Sequence, residues 1–173
     1  MKSLGLIVLG ILLIAGVFLL SSLTGGNQVI RPIRTGEQIS SFSLMDLQGK
    51  RVNISDYAGH DVLINAWATW CPPCRAEMPL LESFYEAHRQ EGFSLVAVNA
   101  GEAQPTVASF ISQNGFSFPV LLDGNTNTLS RLGINSFPTS VLIGPDGTIK
   151  ATHIGMFTTE SLDAEIASQL STN

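Results

Sequence analysis

Cysteine is scarce in this sequence, and its scarcity excludes a fold that is held together by disulfides. Only two cysteines occur among the 173 residues, and they form a C-x-x-C pair, Cys71 and Cys74. Small secreted domains that depend on disulfides carry several such bonds, whereas a chain of this length buries enough apolar surface without them. A lone C-x-x-C pair therefore favours redox chemistry over structural cross-linking.

Charge is absent from the start of the chain. No charged residue lies between Lys2 and Arg31, and residues 4–23 form an almost unbroken apolar run. A helix of that length is about 30 Å long, which is enough to cross a bilayer. The run is longer than the core of a cleavable signal, and no clear small-x-small site follows it. We therefore expect an uncleaved signal anchor, a single transmembrane helix over residues 1–23, with a removed signal peptide as the alternative.

The side of the membrane follows from the one charge in this region. Lys2 lies on the short N-terminal side of the run, and the positive-inside tendency keeps that side in the cytoplasm. We expect a single-pass protein of the cell membrane whose C-terminal part is extracytoplasmic. Residues 24–38 contain several glycines and a proline and are interpreted as a linker, and residues 39–173 as one domain.

Basic residues are few, with 9 Lys and Arg against 14 Asp and Glu, and the formal net charge is −5. No basic cluster is present, so we expect no binding to nucleic acid. The three histidines are scattered and are interpreted as surface or helix-face residues: His60, His88 and His153. Zinc requires four ligands, and no second Cys/His pair has suitable spacing, so we expect no metal.

Alternation and helical spacing predict an α/β fold. Strand and helix patterns follow one another, which favours parallel central strands, closed here by an antiparallel hairpin and a terminal helix. The expected elements are a small N-terminal hairpin over 42–54, strands over 62–67, 93–99, 119–122, 140–143 and 148–154, helices over 74–90, 104–113 and 126–132, and a last helix capped by Thr158 or Thr159.

The cysteines lie where a buried strand is followed by a helix. Backbone N–H groups and the positive end of the helix dipole favour an anion at such a position, and the thiolate is the reactive form of cysteine. We expect Cys71, at the exposed end, to attack a disulfide and Cys74, one turn further on, to resolve it. Pro72 and Pro73 are stiff and offer no N–H donors of their own.

Several stretches resemble one known family. Residues 65–79, which include Trp70 and both cysteines, resemble the thioredoxin-like proteins, and more closely their membrane-anchored TlpA/ResA branch. Residues 96–102, 132–139 and 144–147 are similar to further segments of that branch. The resemblance covers roughly residues 37–170. It implies a thioredoxin-like fold, with a central mixed sheet flanked by helices, an N-terminal β-hairpin extension and a preceding transmembrane helix.

The resemblance also implies roles for individual residues. Glu102 follows the strand beside that of the cysteines, and its carboxylate would lie near them with a raised pKa and pass protons during exchange. Pro138 would follow a cis peptide bond in a loop that faces Cys71 and binds the substrate. The expected substrate-binding residues are Trp70, Pro72, Pro73, Phe137 and Pro138.

The implied function is a thiol–disulfide oxidoreductase of the extracytoplasmic side. By resemblance, a monomer without cofactor would reduce apocytochromes c before haem attachment and receive electrons from a CcdA- or DsbD-like membrane protein. Arg75 replaces the histidine that attachment of haem to this chain would need. The alternatives are a general disulfide reductase, a peroxiredoxin-like antioxidant, and a non-catalytic copper-delivery module with His153 as a late candidate ligand. Ile64 and Ala68 occupy the Pro and Thr positions of the peroxiredoxin motif.

Overall fold

A seven-stranded mixed sheet organises the protein, for which a computed structural model describes residues 30–171. The strand order is β2-β1-β5-β4-β3-β6-β7. The elements in chain order are β1 (Ser43–Asp46), β2 (Arg51–Asn53), β3 (Asp61–Trp67), α1 (Pro72–His88), β4 (Phe93–Ala100), α2 (Gln104–Asn114), β5 (Val120–Asp123), α3 (Asn127–Arg131), β6 (Thr139–Ile143), β7 (Ile149–Ile154) and α4 (Thr159–Glu165), with single 3₁₀ turns at Ile54–Tyr57 and Ala167–Gln169.

The centre of the sheet is parallel and its flanks are antiparallel. Strands β3, β4 and β5 run parallel, whereas β1 and β6 run antiparallel to their central neighbours. Every residue of β3 is buried, as an apolar run between two covered faces requires. Because β3 pairs with β4 in parallel and Trp67 lies opposite Asn99, both strands end at the same edge. The segment after β3 carries the cysteines, and the segment after β4 carries Glu102.

Two hydrophobic clusters fill the two faces of the sheet. One cluster lies under α1, α2 and α4, and both cysteine side chains belong to it. The other lies under α3 and includes Phe42 and Ile54, with Ile30 and Ile33 packed against it. Thus residues near the N-terminal end of the described chain already contact the domain, and the Ile33 N–H donates to the Leu132 carbonyl at 2.9 Å.

The predicted fold class and hairpin extension are confirmed, with shifts at some element ends. β1 and β2 form the antiparallel hairpin. Helix α1 begins at Pro72, two residues before the predicted start, because its first two positions accept prolines without losing a hydrogen bond. The last helix is shorter than its pattern indicates: Thr158 caps it, and it ends at Glu165 before a 3₁₀ turn.

The membrane anchor predicted for residues 1–23 lies outside the described residues. Among residues 30–171, no helix combines the length and apolar character needed to span a bilayer.

A buried ion pair fastens the C-terminal segment to the sheet. Asp61, 3% exposed, accepts from Lys150 Nζ at 2.6 Å and from the Ser171 N–H at 2.5 Å. Lys150 Nζ also donates to the Gln169 carbonyl at 2.8 Å. Removing one partner of such a pair leaves a buried charge uncompensated, which costs more than the pair itself contributes.

We therefore expect Lys150→Ala to lower the free energy of unfolding by about 1–3 kcal/mol, measured by urea denaturation. The matched control is Arg34→Ala, because Arg34 pairs with Glu37 at 3.9 Å while both side chains stay largely exposed. The control should change stability by less than about 0.5 kcal/mol. Equal losses in the two variants would contradict the importance of the buried pair.

Candidate active site

The two cysteines form a disulfide at the beginning of α1. The S–S distance is 2.02 Å and the Cα atoms are 5.3 Å apart. Cys71 is the N-cap residue of the helix, and Cys74 lies in its first turn. Cys71 is 4% exposed and Cys74 is fully buried, so Cys71 is the sulfur on the solvent side.

The helix start directs one amide at Cys71. Pro72 and Pro73 occupy the first two helical positions and have no N–H, so the first amide of the helix with a hydrogen is that of Cys74. This N–H donates to Cys71 Sγ at 3.3 Å. After reduction, the same donor and the positive end of the helix dipole favour the thiolate of Cys71 over its thiol. The expectation of a sulfur at a helix N-terminus is confirmed.

Glu102 lies beside the chain segment that precedes the cysteines. Its Oε2 accepts from the Thr69 N–H at 2.7 Å and from Asn99 Nδ2 at 2.8 Å, and its Oε1 accepts from the Thr69 hydroxyl. These hydrogen bonds join the end of β4 to the turn two residues before Cys71. The structure therefore brings Glu102 to the active-site edge, where its contacts are with Thr69 and Asn99.

The residues predicted to bind substrate comprise the chain neighbours of Cys71 and a loop that contacts Trp70. Trp70 is 64% exposed, and its ring meets that of Phe137 edge-on at 6.1 Å. The Phe137–Pro138 peptide bond is cis, as the resemblance implies. Pro72 and Pro73 are exposed between the two sulfurs. The Trp70–Phe137 contact joins the two groups, and the role of all five residues in binding stays a prediction.

Two further exposed apolar residues, which the sequence patterns did not identify, adjoin this group. Ile154 ends β7 opposite Thr139, and it is 71% exposed. Met156 follows it at 45% exposure, and the intervening Gly155 donates its N–H to the Pro138 carbonyl at 2.9 Å. Pro138 and Phe137 link them to Trp70, and we refer to Trp70, Ile154 and Met156 as the apolar rim. An apolar Ile154 in the alternation that also holds Lys150 and Thr152 was the available sequence signal.

A buried carboxylate on the cysteines' own helix, Glu77, was not predicted from the sequence. Glu77 is 1% exposed and lies three residues after Cys74, on the same face of α1. Its Oε1 accepts from Asn65 Nδ2 at 2.9 Å, and its Oε2 accepts from the Phe157 N–H at 2.9 Å. Helical spacing from Cys74 could have predicted its inward direction, but the partners come from distant segments.

Burial sets the protonation of Glu77. Desolvation raises the pKa of the Glu77 carboxyl above its ordinary value, and the hydrogen bonds from Phe157 and Asn65 partly oppose that rise. Because its pKa is raised, Glu77 keeps its proton to a higher pH than an exposed glutamate does. The interior side of the disulfide therefore holds a group able to take up or release a proton close to Cys74.

No metal centre accompanies these groups in the part of the chain from residue 30 to residue 171. There, His, Cys, Asp and Glu side chains nowhere come together in a group of three or more that could hold an ion. The chemistry that the arrangement supports is thiol–disulfide exchange. Glu102 lies near the turn before Cys71, and Glu77 lies on the helix after Cys74.

The raised pKa of Glu77 predicts a pH-dependent effect of Glu77→Gln on stability. The folded protein holds this proton more tightly than the unfolded chain, so the resulting stabilisation is complete below about pH 4.5 and is lost as the pH rises through the folded pKa. The unfolding free energy of the variant minus that of the wild type should therefore grow with pH. The gain is about 1.4 kcal/mol for each pH unit by which the folded and unfolded pKa values differ.

Urea denaturation of the oxidised proteins between pH 4 and pH 8 measures this difference. Glu86→Gln, which alters a half-exposed carboxylate of the same helix, is the control and should give a flat difference. A difference for Glu77→Gln that stays constant or shrinks as the pH rises would contradict the assignment.

Comparison with known proteins agrees with the geometry. The sequence profile of the Redoxin family matches residues 34–170. The thiol-disulfide oxidoreductase ResA of Halalkalibacterium halodurans is 38% identical over 130 residues, which cover 75% of this chain and 74% of that protein. ResA of Bacillus subtilis is 36% identical over 126 residues, 73% of this chain and 70% of that protein.

Solved structures show the same likeness. The putative thiol:disulfide interchange protein DsbE of Chlorobium tepidum superposes with a TM-score of 0.74 at 29% identity, covering 80% of this chain and 99% of that one. StoA of Bacillus subtilis superposes with a TM-score of 0.62 at 34% identity, covering 72% and 95%. With a sulfur pair at a helix start and relatives of this kind, the chain belongs to the Redoxin family of thioredoxin-like proteins and is a thiol–disulfide oxidoreductase.

Proposed function

We propose that this oxidoreductase is a membrane-tethered reductant of protein disulfides outside the cytoplasmic membrane, and that its substrates are apocytochromes c before haem attachment. The observation that carries the proposal is the Cys71–Cys74 disulfide at a helix N-terminus beside an exposed apolar rim. The substrate follows from the resemblance to the TlpA/ResA branch. The tether follows from the apolar run at residues 4–23.

Electrons and bonds balance in the proposed exchange between this protein and its substrate. The Cys71 thiolate attacks one sulfur of the substrate disulfide, forming a mixed disulfide and releasing the other substrate sulfur as a thiolate. Cys74 then loses its proton and attacks Cys71 Sγ, which restores the disulfide seen here and frees the reduced substrate. Two electrons have moved to the substrate. A dithiol of a CcdA- or DsbD-like membrane protein would return the pair to its reduced form.

The apolar rim of Trp70, Ile154 and Met156 supports a protein substrate. Exposed apolar patches of this kind are typical of surfaces that bind other proteins. Trp70 contributes a large rigid ring, which makes it a suitable anchor for a bound chain. Trp70 directly precedes Cys71 in the chain, so a segment bound on Trp70 would bring its own disulfide to Cys71.

Glu102 is proposed to pass protons during exchange. It is connected to the active-site turn through Thr69, and partial burial keeps its carboxylate away from bulk water. Each cycle releases and consumes thiol protons, which a nearby carboxyl group can carry.

Trapping identifies the substrate. In Cys74→Ser, the mixed disulfide cannot be resolved, so we expect membranes carrying this variant to accumulate covalent complexes with cytochrome c precursors. Non-reducing gels and mass spectrometry measure them. Cys71→Ser lacks the attacking sulfur and should trap none.

Extraction of the same membranes at alkaline pH tests the anchor, because an anchored protein stays with the lipid.

Other outcomes would favour the alternatives. A trap filled with diverse secreted proteins and no cytochrome precursor would replace the proposal with a general disulfide reductase. Peroxide consumption by the purified domain would favour a peroxiredoxin-like antioxidant, and stoichiometric copper would favour a metal-delivery module.

Replacing Glu102 tests its role in proton transfer. Glu102→Gln retains the side-chain shape and one acceptor oxygen but carries no exchangeable acid. We expect the rate of reduction of a small protein disulfide to fall by about tenfold or more, with a changed pH–rate profile, measured by stopped-flow fluorescence. Glu86→Gln is the control. A lower rate with an unchanged pH profile would indicate that Glu102 acts only by holding Thr69.

A further inference from the structure

A histidine–carboxylate pair lies at the surface behind the active site. His153 Nδ1 and Glu165 Oε2 are 2.8 Å apart, and the imidazole side chain is only 16% exposed while that of Glu165 is 43% exposed. The His153 ring stacks on Phe157 with centroids 4.0 Å apart and planes 15° apart. The ring is therefore held in place on one side by a carboxylate and on another by an aromatic ring.

A row of polar residues connects this pair to Glu77. Asn65 of β3 lies opposite Ser140 of β6, and Ser140 lies opposite His153 of β7, so the three side chains share one face of the sheet. Asn65 Nδ2 donates to both Ser140 Oγ and Glu77 Oε1, each at 2.9 Å.

A second connection runs through Phe157. The residue whose ring stacks on His153 donates its own N–H to Glu77 Oε2 at 2.9 Å. Glu77 is thus held by two groups: Phe157, whose ring stacks on His153, and Asn65, which donates to Ser140, the residue opposite His153 in the sheet.

We propose that His153, oriented by Glu165, is a positioning residue that controls the charge of Glu77 and so links the reactivity of the Cys71–Cys74 pair to the pH outside the domain. Imidazole is the side chain that changes charge between about pH 5 and pH 8. The pair reaches solvent through Glu165, whereas Glu77 does not, so protons enter and leave at the surface. The proposal depends on exchange at these sulfurs and not on the identity of the substrate.

The charges of His153 and Glu77 determine the direction in which His153 changes the ionisation of Glu77. The groups that face Glu77 are Cys74 on its own helix, His153 on β7 and, beyond His153, Glu165 on α4. A protonated His153 favours the ionised carboxylate and lowers the pKa of Glu77, against the rise that burial causes. Glu165 Oε2 lies 2.8 Å from His153 Nδ1 and would pair with a charged imidazole. An ionised Glu77 in turn disfavours a thiolate on the neighbouring sulfur, because like charges repel.

Carbon-13 NMR of the Glu77 carboxyl group, assigned with Glu77→Gln, tests the proposal on the whole domain in its oxidised form. His153→Phe retains a ring against Phe157 but cannot be charged. We expect the midpoint of the Glu77 titration to rise by up to about one pH unit in this variant. Glu165→Gln, a change at a half-exposed position, should raise the midpoint in the same direction by less. An unchanged or lowered midpoint in both variants would overturn the proposal.

His88→Phe is the matched control. His88 also pairs through Nδ1 with a glutamate, Glu91, at 3.0 Å, and its ring also lies against a phenylalanine, Phe84, at 4.5 Å, but it sits at the far end of α1. It should leave the Glu77 midpoint where it is. A shift equal to that of His153→Phe would assign the effect to general perturbation and overturn the proposal.

The alkylation rate of Cys71 distinguishes a role of His153 in setting the charge of Glu77 from a merely structural role. In the reduced protein, His153→Phe should raise the alkylation rate of Cys71 by about twofold between pH 6 and pH 7, because Glu77 stays neutral there. In a Glu77→Gln background the same substitution should have no effect. An equal change in both backgrounds, or no change in either, would overturn the link through Glu77.

Discussion

The parallel pairing of β3 with β4 is the constraint on which the active site depends. Because Trp67 lies opposite Asn99, the chain leaves both strands at one level, and the turn carrying Thr69 meets the turn carrying Glu102. The antiparallel neighbour β6 starts at the same edge, which brings the Phe137–Pro138 loop beside Trp70. Three segments far apart in the sequence therefore converge at one edge of the sheet, beside the sulfur pair.

The site has a solvent side and an interior side, and they differ in chemistry. On the solvent side, Cys71 is slightly exposed and follows the largely exposed ring of Trp70. On the interior side, Cys74 lies in the core beside a carboxyl group that burial keeps protonated more readily than usual. In the proposed exchange, attack on a partner takes place in the first environment. Resolution of the mixed disulfide, for which Cys74 must lose a proton, takes place in the second.

Much of the fold and part of the site could be predicted from the sequence because the signals are local. Buried apolar runs marked β3 and β4, and the C-x-x-C pair after β3 marked the reactive position. Glu102 could be placed at the same edge from topology alone. Glu77 and His153 could not, since their contacts depend on the register of β6 and β7. From the sequence, a single histidine on an edge strand is interpreted as a surface residue. Its pairing with Ser140 becomes known only from the structure.

The two residues between the sulfurs have little to do with holding the domain together. Pro72 and Pro73 are exposed, and the helix would begin at the same place with most other side chains there. Any residue other than proline would add an amide hydrogen near Cys71 and make its anion easier to form. Substitutions in this dipeptide can therefore change the reduction potential of the cysteine pair while leaving the architecture unchanged.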